Sequence, residues 1–470
     1  VDPRLPFFVG GGPSWKPLPF CFTVVDALFG GAAPALWVIT ARVGGLLGWV
    51  AAWRLGMRLR PGAWGWVAGA IAVGGLLTTQ DYGYYFMRGA SEPGLVACTL
   101  WAADRLLARR WGAAFWLMLV ASLIRPEWWP YTILLAGWLA TRGGPGWRSA
   151  RGRALLLGAL LLIPLGWFGP PWLGGNDPLL AARNASLYNG HLGRDPLRAI
   201  LGRAADDQIW PLLAAAFGFV AGVLAREARR GRMSERGWTV AVLAAFACVW
   251  WLEVIVMTIG LGYPGLERFF LPAAAVVCVL GGVGMATAGM VAGRWVAARL
   301  GSPGDGAAEP ARARGGGRVA PGGGGPAALV GGALVLVMVA GSVLVSRGAV
   351  DLLVGSEGQA ALAQRTLDGL SRSVAAAGGR TAVLPCARSF AAVNHSAQPA
   401  LAWDLRVTLE RVGSAVTHPG VDFIGPADIA TGIPAAIDPS LTHDRVVART
   451  GAWTAVALSR RGGRVGCVGR

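Results

Sequence analysis

Lysine is almost missing from this chain. Of its 43 cationic residues only Lys16 is a lysine, and the other 42 are arginines. Charge of any kind is scarce, at 14% of 470 residues against 54% hydrophobic, where a soluble globular domain carries about 25% charged residues. With a mean hydropathy of +0.50, that shortage excludes an ordinary water-soluble domain and reads as a membrane protein. The net charge of +18 does not point to a nucleic-acid partner, because such binders gather cations on an exposed face with little hydrocarbon around it. Here the arginines occupy short loops between apolar runs. Cysteine is also sparse, six in all. Cys21, Cys98, Cys248 and Cys278 lie in or beside apolar runs, where a thiol behaves as a small hydrophobe, and no spacing resembles a zinc site.

Apolar runs long enough to cross ~30 Å of hydrocarbon, roughly 17 to 25 residues, fall near 34–57, 62–79, 91–108, 154–170, 209–226, 237–259, 268–298 and 327–347. Residues 111–142 read as two shorter crossings broken at "RPEWWP", giving about ten spans. The basic loops "RLGMRLRPG", "DRLLARRW", "TRGGPGWRSARGR", "REARRGRMSERG" and the 299–326 segment follow every second span, and arginine-rich loops stay in the cytoplasm. Residues 1–33, 80–90, 125–130, 171–208, 260–267 and everything after 347 are therefore expected outside a plasma membrane. An outer N-terminal stretch needs a signal sequence or a preceding span; a further helix is expected upstream of Val1, and eleven or more spans at full length.

The expected architecture is mainly α: a polytopic helical bundle over 1–347 with a small extracytoplasmic α/β domain over 348–470. Residues 300–326, mostly Gly, Ala, Pro and Arg, should form a disordered cytoplasmic loop. The last 120 or so residues offer an amphipathic helix around Leu352 to Val374, then strand-like runs "TAVLPC", "VDFIGP", "RVVART" and "TAVALSR". Cys386 and Cys467 both fall here, where an oxidising compartment permits a disulfide between them.

Polar residues left unexplained by topology collect in the outer loops: Lys16; Asp81, Arg88 and Glu92; Arg125 and Glu127; Asp177, Arg183, His191, Arg194 and Asp195; Glu267 and Arg268. Each alone has a plain structural reading. Lys16 and Arg268 suit snorkelling anchors, Glu92 and Glu127 suit the positive ends of helix dipoles, and Trp128 and Trp129 suit an interfacial belt. Together, cations interleaved with carboxylates and aromatics suit an anionic headgroup on a lipid tail. The cations would hold phosphate, and a carboxylate would deprotonate an acceptor hydroxyl or help bind a divalent metal, Mg or Mn.

Here the sequence resembles a family. Pro3-Arg4-Leu5, a short spacer and Lys16-Pro17, followed by a long apolar helix ending in "AAWRLGMRL", are similar to the region after the first outer loop of GT-C glycosyltransferases. That superfamily includes aminoarabinose transferases, protein O-mannosyltransferases and arabinofuranosyltransferases. Glu92-Pro93 opening a later helix, and Arg268-Phe269 with Pro272, match further short motifs. The resemblance covers residues 1 to about 347 and implies a membrane enzyme that transfers a sugar from a polyprenyl-phosphate donor to a glycan or protein acceptor of the cell envelope. It implies Lys16 and Arg268 as phosphate contacts, and Glu92 at the donor phosphate or a metal.

The family's acidic base lies in the first outer loop, about twenty residues before the Lys-Pro, which puts its expected position upstream of Val1. On that expectation the chain as it stands lacks the family's base and would be inactive without it. Asp2 does not fit the motif, and Asp81 is a substitute candidate. Arg88, Arg125, Glu127 and His191 complete the candidate binding set. The Arg-, Ala- and Gly-heavy composition suggests an actinobacterium, for which mannose or arabinose donors are plausible. Two other readings stand beside this one: a secondary transporter or flippase, which would show paired halves with broken helices, and a non-catalytic envelope scaffold presenting 348–470.

Overall fold

The computed structural model describes residues 15–180, 182–183, 195–206, 208–263, 265–299, 326–345, 347–386, 389–416, 418–427 and 434–460. Val1, Asp2, Pro3-Arg4-Leu5, His191, Arg194, Cys467 and the expected loop up to residue 325 lie outside the described residues. The helix and the acidic base expected upstream of Val1 fall outside them as well. The described chain forms two compact units. The larger holds residues of 16–166 and 188–354, the smaller Trp15 and those of 167–187 and 355–470.

In chain order the helices are α1 (Pro17–Ala27), α2 (Ala33–Leu59), α3 (Ala63–Thr78), α4 (Gln80–Met87), α5 (Glu92–Leu107), α6 (Trp111–Ser122), α7 (Trp129–Arg142), α8 (Pro145–Arg148), α9 (Ala150–Gly175), α10 (Pro196–Asp206), α11 (Trp210–Arg229), α12 (Glu235–Leu261), α13 (Leu271–Arg299), α14 (Pro326–Val345) and α15 (Arg347–Ala376). Six of them, α2, α9, α11, α12, α13 and α14, are long and apolar enough to cross a membrane. The protein is a multi-pass membrane helical bundle.

Four expected crossings take a shorter form. α3 and α5 have 16 residues, α6 has 12 and α7 has 14, about 18 to 24 Å at 1.5 Å per residue. Composition shows how apolar a run is, but not where a helix stops. The break at "RPEWWP" is a 3-10 turn, Pro126–Trp128, because Pro126 disfavours helical geometry in the residue before it. Within the expected outer stretch 1–33, α1 is a helix. Pro17 sits at its first position, where its missing N–H costs nothing and its fixed φ suits the turn.

α13 is the axis of the bundle. Nearly every residue from Phe269 to Ala286 is buried, as expected for a helix apolar on all sides. Gly281 and Gly284 lie against the Leu212 and Ala215 carbonyls of α11, an approach that leaves no room for a Cβ. α2 and α5 meet as closely, since a Cβ on Gly44 would stand 3.0 Å from the Gly94 Cα. That contact fixes the start of α5 beside α2.

The smaller unit carries α16 (Gly379–Val383), α17 (Gln398–Leu405) and strands β1 (Phe390–Val393), β2 (Val412–Gly413), β3 (Ala415–Val416), β4 (Gly420–Ile424), β5 (Ala436–Ile437), β6 (Leu441–Thr450) and β7 (Trp453–Arg460). The main sheet runs β2-β1-β4-β7-β6, parallel from β2 to β4 and antiparallel beyond. Leu370, Val374, Leu401 and Leu405 cover one face of it, against Val393, Phe423 and Ala455. The run "TAVLPC" is not a strand. Gly378 and Gly379, at φ 91° and 67°, turn the chain out of α15 and straight into α16.

Candidate functional site

Three of the charged candidates directly precede a proline at the start of a helix or turn: Lys16 before Pro17, Glu92 before Pro93 and Arg125 before Pro126. The clash of a proline ring with the residue before it favours extended backbone, seen at Lys16 (φ −138°, ψ 111°) and Arg125 (φ −145°, ψ 134°). Each residue thus leaves its backbone just where a helix or turn begins. A hydrogen bond from Leu18 N to Leu123 O, 3.1 Å, ties the start of α1 to the end of α6 and brings Lys16 near Arg125. Arg268 comes from the 3-10 turn Glu267–Phe269, held by Trp250 Nε1 donating to Phe269 O at 2.8 Å.

These segments converge on the Glu92 carboxylate, 1% exposed. Lys16 Nζ donates to Glu92 Oε1 and to Ser91 Oγ, both at 2.8 Å. Arg125 Nη2 donates to the same Oε1 at 3.0 Å, and Arg268 Nε stands 3.8 Å from it. Arg125 also meets Tyr263 OH at 3.3 Å and Glu127 Oε1 at 3.7 Å, and Tyr263 OH donates to Glu127 Oε1 at 3.0 Å. Its guanidinium lies 3.9 Å from the Phe269 ring centre.

The three cations differ in access. The Arg125 side chain is 5% exposed, whereas Lys16 is 15% and Arg268 is 26% exposed. Arg125 is an internal clamp between Glu92 and Glu127. Lys16 and Arg268 form the accessible rim, and the buried Arg268 Nε makes no hydrogen bond. Lys16 and Arg268 are therefore the cations that an arriving anion would meet first, with Asp81 and Glu267 close by on the acidic side. Burial brings the Lys16 ammonium down to about 8, with Glu92 opposing and Arg125 and Arg268 adding to the shift.

Asp81 belongs to this neighbourhood. α4 presents Asp81 and, one turn on, Tyr85, over which Arg268 lies at 5.6 Å. Tyr82 pins α4 to α2 by donating to Gly45 O at 2.8 Å. Burial pushes the Asp81 carboxyl up to about 7, with Glu267 and Glu92 reinforcing and Arg268 opposing. Its buried Oδ2 has no hydrogen-bond partner. Of the acids weighed for the role of base, with Asp2 and any residue upstream of Val1 outside the described residues, Asp81 is the one seen beside the cations.

Arg88 stands apart from this cluster; it is exposed and stacks on Tyr84 at 4.2 Å. Glu92, in contact with three cations, does not fit a divalent metal ligand, because a bound cation would meet repulsion from Lys16, Arg125 and Arg268 on the same oxygen. Ser91, Tyr85 and Tyr263 were not singled out from sequence, since hydroxyls and aromatics are common at membrane interfaces. Nor was Glu253, in the apolar run of α12, which accepts from Tyr131 OH at 2.9 Å. A lone acid in such a run was itself a signal, because charge at membrane depth is costly.

No protein-family model matches the chain, and no curated protein matches it. Among solved structures it is similar to ArnT from Cupriavidus metallidurans in the apo state, at 16% identity and TM-score 0.46, covering 94% of this chain and 87% of that one. It is similar to the same protein bound to undecaprenyl phosphate at 16% identity, TM-score 0.47 and the same coverage.

Proposed function

We propose that the chain is an integral-membrane, inverting glycosyltransferase of the GT-C type, taking a sugar from a polyprenyl-phosphate donor to a hydroxyl of a glycan or protein acceptor in the cell envelope. The observation that carries this reading is the convergence of Lys16, Arg125 and Arg268 on one buried carboxylate at helix starts. The Lys-Pro, Glu-Pro and Arg-Phe motifs that resemble the family supply Lys16, Arg268 and the carboxylate itself, Glu92. The site would face the outside of a bacterial plasma membrane, with the C-terminal unit on that side.

In this reading Lys16 and Arg268 hold the donor phosphate, and Arg125 fixes Glu92 so that both stay in place. The acceptor oxygen attacks the anomeric carbon as its proton passes to the Asp81 carboxylate, whose raised pKa of about 7 suits a general base near neutrality. The bond from the anomeric carbon to the phosphate oxygen breaks with inversion. The charge growing on that oxygen meets preorganised cations, which need no metal at Glu92. Lysine suits this place because a compact ammonium on a flexible stem reaches a single phosphate oxygen.

The test is transfer of radiolabelled mannose or arabinose from polyprenyl phosphate to envelope acceptors by the purified chain in lipid nanodiscs. The reading expects transfer that falls at least tenfold in Lys16→Ala. Equal transfer by the variant, or none from any polyprenyl-phosphate sugar, contradicts it.

A further inference from the structure

A second charged cluster lies at the opposite ends of α2 and α5. Asp104, with no exposed surface, receives three guanidinium groups: Arg54 Nε at 3.2 Å, Arg58 Nη1 at 3.3 Å and Arg105 Nη2 at 2.9 Å. Arg58 also donates to the backbone oxygens of Asp104 (3.3 Å) and Leu107 (2.8 Å), the second a carbonyl in the last turn of α5, where the helix leaves acceptors open. Trp101 lies beneath, 5.0 Å from Arg105 and 5.9 Å from Arg54, with its indole N–H on Leu47 O at 3.0 Å. One acid offsets one of the three cations, and two positive charges remain.

Those charges are presented outward. Arg54 uses only Nε on Asp104 and its side chain is 52% exposed. Its two Nη groups have no hydrogen-bond partner among the described residues, which leaves the flat fork that matches a phosphate with paired N–H donors. Arg54 and Arg58 lie within about 8 Å of the α2 terminus, and Asp104 within about 5 Å of the α5 terminus, at 1.5 Å per residue. That is headgroup depth, where tryptophans such as Trp101 collect.

The surface leading to Arg54 has the shape of a lipid. Val43, Leu47 and Val50 are 48%, 47% and 53% exposed, and together with Arg54 they follow the four-then-three spacing of one helix face. An apolar strip therefore ends in a guanidinium whose two Nη groups are open. The arginine distribution puts this end of the bundle on the cytoplasmic side, and basic pockets between transmembrane helices on that side are suited to anionic headgroups.

We infer that Arg54, Arg58 and Arg105 form a headgroup site for an anionic glycerophospholipid of the cytoplasmic leaflet, its acyl chain lying along Val43, Leu47 and Val50. Asp104 holds the three guanidiniums apart and in register, so the site exists before the lipid arrives. Nothing in this assignment depends on the chemistry at Lys16.

The experiment titrates the purified full chain with phosphatidylglycerol, phosphatidylcholine or inorganic phosphate, reading bound lipid by native mass spectrometry. Phosphatidylglycerol should bind at least tenfold more tightly than phosphatidylcholine. Arg54→Gln should lose about tenfold of that affinity, the size expected for charge-assisted hydrogen bonds. It leaves Asp104 with Arg58 and Arg105, so the variant should fold. Equal binding of the two lipids, or unchanged binding by the variant, overturns the assignment. Displacement of the lipid by inorganic phosphate would mark a free-anion site and overturn it too. A phosphatidylglycerol carrying a photoreactive acyl chain gives a check on the unaltered chain: crosslinks within 43–58 support the site, and crosslinks only elsewhere refute it.

Discussion

Lys16 Nζ lies 2.8 Å from Glu92 Oε1, joining residues 76 positions apart in the chain. On the same oxygen sits Arg125 Nη2 at 3.0 Å, so one buried carboxylate sets the position of two cations with different exposure. A buried charge is costly unless paired, and losing one partner of a buried pair costs more than the pair contributes. The cluster therefore separates into a member that supports the fold and members free to bind.

Arg125→Ala should destabilise the larger unit by about 3 to 5 kcal/mol, the usual cost of leaving a buried charge unpaired, here on Glu127, since Glu92 keeps Lys16. Lys16→Ala, at a more accessible position, should cost much less. Thermal unfolding of the two variants in the same detergent checks the order, and equal losses would contradict the division of roles.

Asp81 gives a pH dependence. Its carboxyl is raised from the ordinary range to about 7, so between about pH 4 and 7 the folded chain holds a proton that the unfolded chain has released. Its contribution to stability is greatest at low pH, declines as pH rises to about 7 and is flat above. Sugar transfer should show the opposite trend, rising through pH 7 as the base form appears. Asp81→Asn should remove both slopes. Melting temperature and transfer rate measured across that range check it.

Cys386 is disulfide-bonded, while Cys21, Cys98, Cys248 and Cys278 are thiols outside any disulfide. If Cys467 is its partner, the bond closes a loop of ~80 residues and contributes up to about 4 kcal/mol in the chain-entropy account. Non-reducing peptide mapping should find the 386–467 crosslink, and reduction should lower the melting temperature of the smaller unit. Two free thiols at these positions in exported protein would contradict the pairing.

Topology is tested by labelling single cysteines in intact cells with an impermeant reagent. A cysteine at position 396 should label from outside and one at position 306 only after the membrane is opened. Labelling of both from the same side would contradict the parity of the arginine loops.

The sequence exposed some of this plainly and hid the rest for physical reasons. Lys16, Glu92 and Arg125 stood out because each is charged, sits beside a long apolar run and precedes a proline. Tyr263 and Ser91 did not, because nothing in a neutral hydroxyl marks it as the partner of a charge 75 or more residues away. Long spans such as α12 and α13 were legible from apolar length alone. The lengths of α6 and α7 were not, since a run interrupted at Pro126 says little of where each half ends. α1 was hidden by its neighbours, a glycine-rich approach on one side and a long span on the other. "TAVLPC" read as a strand because a six-residue apolar run fits either period, and the turn at Gly378 and Gly379 decided against it.

The most direct measurement is the affinity of the purified chain for a polyprenyl phosphate without sugar, in nanodiscs, because binding does not depend on which group acts as base. The account predicts saturable binding that weakens as pH is raised through about 8, where Lys16 loses its proton. It also predicts a loss of roughly ten- to hundredfold in Lys16→Ala, the size of one charge-assisted contact, and a clear loss in Lys16→Arg, since a planar fork does not replace the ammonium at a single phosphate oxygen. Binding that is equal in the unaltered chain and both variants and flat across pH 8 would contradict it.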